Sequence, residues 1–202
     1  MNKTKSPWNK GKKAGSKPPL TPQQVQLIKM LLASKNKHRD LVLFHLAIDS
    51  AFRGIDLVSL KVTDMVVNGN IAEVISITQQ KTQSTVKAYL TEQTRTLLQK
   101  YIKAESFQSW DYLFPSKIKF GTHITANRYR ALVKEWVQMA SLDAQRYGSH
   151  SLRRSKVSLI YSQTGNLRAC QKLLGHTSIQ HTALYLGIEE AEALEVAKFF
   201  EL

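Results

Sequence analysis

Apolar side chains recur at helical spacing in "TPQQVQLIKMLLA" (21–33), behind a polar start that carries its own stop and start signals. Thr21 can cap this segment, Pro22 suits the first helical position, and Gln24 completes a capping box, which predicts a helix to about residue 33. "RDLVLFHLAIDSAF" (39–52) is nearly all apolar and predicts a central buried helix, and "GIDLVSLK" (54–61) predicts a short third one. "AEVISI" (72–77) and "STVKAYL" (84–90) are short, β-branched and partly alternating, so they read as two antiparallel strands with Lys81 on the connecting turn "TQQKTQ". Thr91 then caps "EQTRTLLQKYIKA", "YLFPS" breaks the chain, and "ITANRYRALVKEWVQMASL" (124–142) restores helical periodicity. Trp110 and Trp136 both read as core.

The last third is helical in pattern. "HSLRRSKVSLIYSQTG" ends at Gly165, "NLRACQKLLG" runs from an N-cap at Asn166 to Gly175, "TSIQHTALY" follows, and "EEAEALEVAKFFEL" (189–202) predicts a final helix with an acidic start. The fold class is mainly α with a small antiparallel β-sheet. His45, inside an apolar face, reads as a packed core histidine. Cys170 lies at helical spacing from Leu167, Leu173 and Leu174 and reads as a core thiol; as the single cysteine it excludes an internal disulfide and a CxxC metal knuckle.

Charge changes the picture more than size does. At 202 residues and 43% hydrophobic, the chain can bury one domain's core. Residues 1–19 hold six lysines (Lys3, Lys5, Lys10, Lys12, Lys13 and Lys17) and no acid, with glycine, proline and serine between them, which predicts a disordered basic arm ahead of a folded domain over 20–202. The net charge is +14, and more than half of it stays on the folded part, so a polyanion is the partner implied. No run approaches the ~18 apolar residues of a membrane helix and no signal peptide is visible, which predicts a soluble, cytoplasmic protein.

Five features with chemical potential remain, each with an ordinary reading of its own. Arg53 can pair with Asp56 three residues on, Lys81 can be an exposed turn lysine, and His150 and Arg153, at i and i+3 on one helix face, suit an anion clamp and a solvated basic face equally. His176 and Tyr185 are nine residues apart; an unbroken helix would separate them by ~13.5 Å on opposite faces. A bend at Gly175, with Thr177 or Ser178 capping the next helix, can bring both to one pocket. His181 has no assigned role. Together, two arginines, a lysine, two histidines and a tyrosine, without a carboxylate pair or a metal cluster, suit phosphoryl transfer that needs no metal or cofactor: guanidinium groups stabilise the charged phosphate, tyrosine attacks, and lysine or histidine protonates the departing oxygen.

These residues resemble the tyrosine recombinase (phage integrase) family from about Pro22 to the end of the chain, on "FRGIDLVSL", "QQKTQ", "HSLRRS", "LLGH" and "HTALY" in that order. The resemblance implies the family's catalytic-domain fold and a site-specific recombinase. Arg53, Arg153 and His176 would hold the scissile phosphate, Tyr185 would form a 3′-phosphotyrosyl link, Lys81 would be the general acid, His150 would assist proton transfer, and Asp56 would brace the site. Arg154 and the arm lysines would contact DNA. It implies too a homo-tetramer on DNA coupled through the C-terminal helix, with accessory DNA-bending proteins as further partners. Two departures stand out: Ser50 and Ala51 occupy the family's usual Thr-Gly, so the local backbone is expected to differ, and the lysine arm stands where most members carry a core-binding domain. The minimal fimbrial-switch inversion recombinases are similar in this respect; a fragment of a longer integrase is the other reading. A type IB topoisomerase-like nicking and closing activity and a catalytically silent DNA-binding regulator are the functional rivals.

Overall fold

The computed structural model describes residues 17–188 and Lys198. In order, the elements are α1 (Pro22–Ser34), α2 (His38–Ser50), α3 (Gly54–Val58), a 3₁₀ turn (Val62–Asp64), β1 (Val66–Val67), β2 (Asn70–Ile71), β3 (Val74–Thr78), β4 (Thr85–Tyr89), α4 (Glu92–Ala104), α5 (Ala126–Met139), α6 (Ser149–Thr164), α7 (Leu167–Leu174) and α8 (Ile179–Leu186). Mainly α with small antiparallel sheets is the class expected.

Local chemistry sets most of these boundaries. Thr21 Oγ1 accepts from the Gln24 N–H at 3.2 Å while Gln24 Oε1 accepts from the Thr21 N–H at 3.0 Å, the reciprocal capping box. Thr91, Thr125, Asn166 and Ser178 cap α4, α5, α7 and α8 with their side chains, and Gly165 and Gly175 end α6 and α7 in the left-handed conformation.

The core is built around α2, whose residues are buried without interruption from Asp40 to Ser50. It packs against α1, α4, α6 and β4. Each polar side chain this drags inside finds a partner, because an unpaired one costs ~1–3 kcal/mol. Asp40 accepts from the Trp136 indole N–H at 3.1 Å and from Arg39 at 2.7 Å, His45 Nδ1 meets Thr94 Oγ1 at 3.1 Å, and Asp49 Oδ2 accepts from both the Thr91 N–H and hydroxyl. Burial lowers His45 to about pKa 4 against the ordinary 6.5, so its ring is neutral. Trp136 is 1% exposed, as expected. A second, smaller cluster of Ala51, Val157, Cys170 and Leu174 lies where α6, α7 and the end of α2 meet. It confirms Cys170 as a core thiol.

Several expectations need correction. Trp110 is 68% exposed: the Ser109 and Asp111 carbonyls on either side bond the N–H groups of Thr63 and Val62, which turns the intervening ring outwards. The β1–β2 hairpin was not expected, although its turn, Asn68–Gly69 with φ of 50° and 78°, is a favoured hairpin dipeptide. The basic arm is expected to run through residue 19, yet Lys17 is held by the fold: its Nζ donates to the Gln145 and Tyr147 carbonyls at 2.7 and 3.0 Å. Lys3, Lys5, Lys10, Lys12 and Lys13, and all but Lys198 of the C-terminal segment 189–202, lie outside the described residues. Among the described residues no helix is long and apolar enough to cross a membrane.

Candidate active site

The strand pair β3–β4 is in antiparallel register from Val74–Tyr89 to Thr78–Thr85, and its turn carries Lys81, as expected. α3 starts beside that turn, with Arg53 at its N-cap. Ser50 and Ala51 before it make the corner between α2 and α3. Ala51 adopts φ 51°, ψ 27°, and the Ser50 hydroxyl donates to the Leu46 carbonyl while accepting from the Phe52 N–H. The backbone therefore turns without a glycine, at the strain an alanine carries in a left-handed conformation, ~1–2 kcal/mol. Gly54 is needed next: a Cβ there would sit 2.8 Å from the Tyr129 ring of α5.

Arg53, Lys81, His150 and Arg153 line one cavity of about 310 Å³, with Tyr129 and Arg130 of α5. Asp56 does not pair with Arg53. Its Oδ1 accepts from the Gln80 N–H at 2.9 Å, so it braces the lysine turn, while Oδ2 is buried without a hydrogen-bond partner. Arg153, 5% exposed, donates through Nε to the Ala51 carbonyl at 2.8 Å and through Nη2 to the Leu174 carbonyl at 2.7 Å. One guanidinium thus ties α2, α6 and α7 together. Burial pulls Arg153 down to about pKa 10, with nearby Tyr185 opposing, which leaves it cationic at neutral pH.

The chain bends at Gly175 (φ 63°), and α8 restarts from Ser178. The bend brings His176 and Tyr185 together, their rings edge to face with centroids 5.3 Å apart. His176 Nδ1 lies 3.2 Å from Thr182 Oγ1, which is also 3.2 Å from the Ser178 carbonyl. Burial, then Arg153, Arg53 and His181, lower His176 to about pKa 4. Burial and the arginines Arg153, Arg130, Arg154 and Arg53 lower His150 likewise. Both rings are held towards the neutral form in the DNA-free protein.

Tyr185 Oη donates to the His150 carbonyl at 3.4 Å, which joins the tyrosine to the cavity residues. Its ring has the Arg154 guanidinium 4.6 Å from its centroid and that of Arg153 at 5.9 Å. Burial pushes the phenol up, and Arg153, Arg154 and Arg53 pull it back. Arg154 was expected on a solvated, DNA-contacting face, but it is 6% exposed and donates to the Lys17 carbonyl at 3.0 Å. It sits under the tyrosine because α6 turns that side inwards. Lys17, likewise expected on DNA, spends its ammonium on the loop before α6.

Sequence reasoning missed Gln79. It is 1% exposed, and its carboxamide touches Arg53, Thr82 and Leu174. Its neighbour Gly175 leaves no room for a side chain, since a Cβ would lie 2.3 Å from Val86 Cγ1 and 3.1 Å from Gln79 Oε1. A polar residue two before the turn lysine was the available signal, and nothing in the pattern marked it as buried. Among the described residues no group of three or more His, Cys, Asp or Glu could hold a metal ion. What the cluster can do is surround an anion with fixed positive charge beside a tyrosine hydroxyl.

The model of the phage integrase family matches residues 19–192. A probable integrase/recombinase, YoeC of Bacillus subtilis, is 28% identical over 88% of this chain and 93% of its own length. The tyrosine recombinase XerD of Rickettsia conorii is 28% identical over 73% of this chain, which spans 51% of that protein. XerA of Saccharolobus solfataricus is 30% identical over 80% of this chain, again half its own length. Among solved structures, XerA recombinase superposes with a TM-score of 0.72 at 19% identity, over 89% of this chain and 64% of that one. XerH bound to its difH substrate before cleavage gives 0.72 at 20% identity, over 93% and 55%. With the family model spanning nearly all the described residues and the fold shared with recombinases of known structure, this chain belongs to the phage integrase family, the tyrosine recombinases.

Proposed function

We propose that this protein is a site-specific recombinase that cuts and rejoins double-stranded DNA through Tyr185. The observation that carries the reading is the convergence on one phenol: the Tyr185 ring packs edge to face on His176 and under Arg154, and its hydroxyl reaches the carbonyl of His150, whose side chain lines the cavity with Arg53, Lys81 and Arg153. Tyr185 Oη attacks the scissile phosphorus as its proton passes to His150, the P–O5′ bond breaks, and Lys81 protonates the departing 5′-oxygen. A 3′-phosphotyrosyl bond and a free 5′-hydroxyl result. Arg53, Arg153 and His176 hold the non-bridging oxygens, whose charge grows in the transition state. A bound phosphate raises the affinity of His176 and His150 for protons, so the two rings, held towards the neutral form without DNA, shift towards a donor at His176 and a stronger base at His150. His150 assists the proton transfers. The reverse step, with a 5′-hydroxyl of another strand as nucleophile, rejoins the ends and conserves the bond energy without ATP.

The arm lysines add phosphate contacts that carry no sequence information. Residues 189–202 hold Phe199, Phe200 and Leu202 with several glutamates, suited to dock on a second copy in a tetramer on DNA. A groove of about 450 Å³ between α1 and α6, lined by Val25, Ile48 and Leu159 with Lys29 and Lys156, matches that composition. The workplace is the cytoplasm, on chromosomal or mobile DNA, with DNA-bending proteins as assistants where sites are distant.

The test is covalent trapping. Duplexes selected by the protein from a random-sequence pool, nicked next to the cleavage position so that the released 5′ fragment diffuses away, should accumulate a protein–DNA adduct. Tyr185→Phe should form none while binding the same duplex within about 3-fold, since it loses one hydroxyl remote from most phosphate contacts. A wild-type protein that binds selected DNA and never forms the adduct is a regulator, which overturns the reading.

A further inference from the structure

We propose that Gln79 is a positioning residue that fixes the two arginines, Arg53 and Arg153, at the spacing the scissile phosphate needs; this rests on the recombinase reading above. Gln79 follows β3 at the start of the lysine turn and is 1% exposed. Its Oε1 accepts from Arg53 Nη1 and from the Thr82 hydroxyl at 2.8 Å, and its Nε2 donates to the Leu174 carbonyl at 3.2 Å. That same carbonyl accepts from Arg153 Nη2 at 2.7 Å. A continuous chain therefore runs from Arg53 through the carboxamide and one backbone oxygen to Arg153. It crosses from the start of α3 to the strand pair, to the end of α7 and on to α6, four elements brought together at the site.

The residue type fits the task. The site needs an acceptor facing a guanidinium and a donor facing a carbonyl on one short side chain, which a carboxamide supplies and a carboxylate does not. A carboxylate would also place a negative charge where the phosphate must be neutralised. Gln79 is buried behind the cavity lining, so its role is exerted through its partners. Gly175 belongs to the same arrangement, because a Cβ there would press on both atoms of the carboxamide at 3.1 and 3.2 Å.

The experiment compares Gln79→Met, similar in length and without the hydrogen bonds, with wild type on two versions of one selected nicked duplex. One carries the ordinary scissile phosphodiester and the other a methylphosphonate, in which a methyl group replaces a charged non-bridging oxygen. On the phosphodiester, single-turnover adduct formation should fall about 10- to 100-fold, the range expected when a charged clamp is misplaced by an ångström or less. On the neutral methylphosphonate, where there is no charge for the clamp to hold, the loss should shrink below about 3-fold. The ratio of the two rates does not depend on how much of the variant is folded, so poor folding cannot imitate the result. Equal slowing on both substrates, or no slowing on either, overturns the role of Gln79. Failure of wild type to form an adduct overturns the recombinase reading instead.

Discussion

Arg154 separates two meanings of a basic residue in the "HSLRRS" segment. From sequence it belonged with the phosphate contacts, yet its guanidinium is buried between the Lys17 carbonyl and the Tyr185 ring. A cation over a desolvated aromatic face contributes ~2 kcal/mol and fixes the ring's tilt. Arg154→Met should therefore slow adduct formation about 10-fold through misplacement of the nucleophile and leave the salt dependence of DNA binding unchanged. Loss of a phosphate-binding residue would instead lower the salt slope by about 1, which filter binding across a salt series would reveal. His45, Cys170 and Trp136 were legible because each sits on an apolar stripe at a fixed period. Gln79, Arg154 and Trp110 were not, because whether a polar or aromatic side chain in an irregular or mixed segment turns inwards is decided by partners far away in the chain. The catalytic roles proposed for Arg53, Lys81, His150, Arg153, His176 and Tyr185 came from motif order; what the fold adds is that the first four line one cavity, with Tyr185 bonded to the His150 carbonyl and packed on His176.

At the level of elements, the bend between α7 and α8 matters most. Gly175 holds φ 63° with Val86 and Gln79 against the place a side chain would take. Gly175→Ala combines left-handed strain with overpacking and should destabilise the protein by about 2–4 kcal/mol, read from the shift in urea midpoint. The survivors should form adduct more slowly, since His176 directly follows the bend. An alanine variant as stable and active as wild type would show that the corner gives way freely. Helix starts and stops were readable because threonine, asparagine, serine and glycine act within one turn of themselves. The β1–β2 hairpin escaped notice because two-residue strands carry too little alternation to register, even with Asn68–Gly69 between them.

For the molecule as a whole, two titrations check the charge distribution. Removing residues 1–16 deletes Lys3, Lys5, Lys10, Lys12 and Lys13. The truncation should flatten the dependence of log affinity on log salt by up to about 4.5, near 0.9 for each phosphate that these lysines neutralise, equally on selected and random duplexes. An unchanged slope would mean that the arm does not bind DNA. The second concerns stability against pH. His45 is neutral in the fold with a value of about 4, against 6.5 when unfolded, so the unfolded chain binds the extra proton. Its contribution is intact above pH 6.5 and is lost as pH falls from there to about 4, and His45→Gln should reduce the acid sensitivity of the urea midpoint in that window. The fold class and the helical order were visible from periodicity, and the packing of α2 from its nearly all-apolar run. The junction of the arm with the domain was not, since Lys17 looks like the other lysines until the loop carbonyls of Gln145 and Tyr147 are placed around it.

The most direct measurement is the chemical identity of the trapped bond. Wild-type protein trapped on a selected nicked duplex, digested with protease and nuclease and analysed by mass spectrometry, should yield one modified peptide, with Tyr185 joined to the 3′-phosphate of a nucleotide. An adduct on another residue, or a tyrosine joined to a 5′-phosphate, would contradict the account.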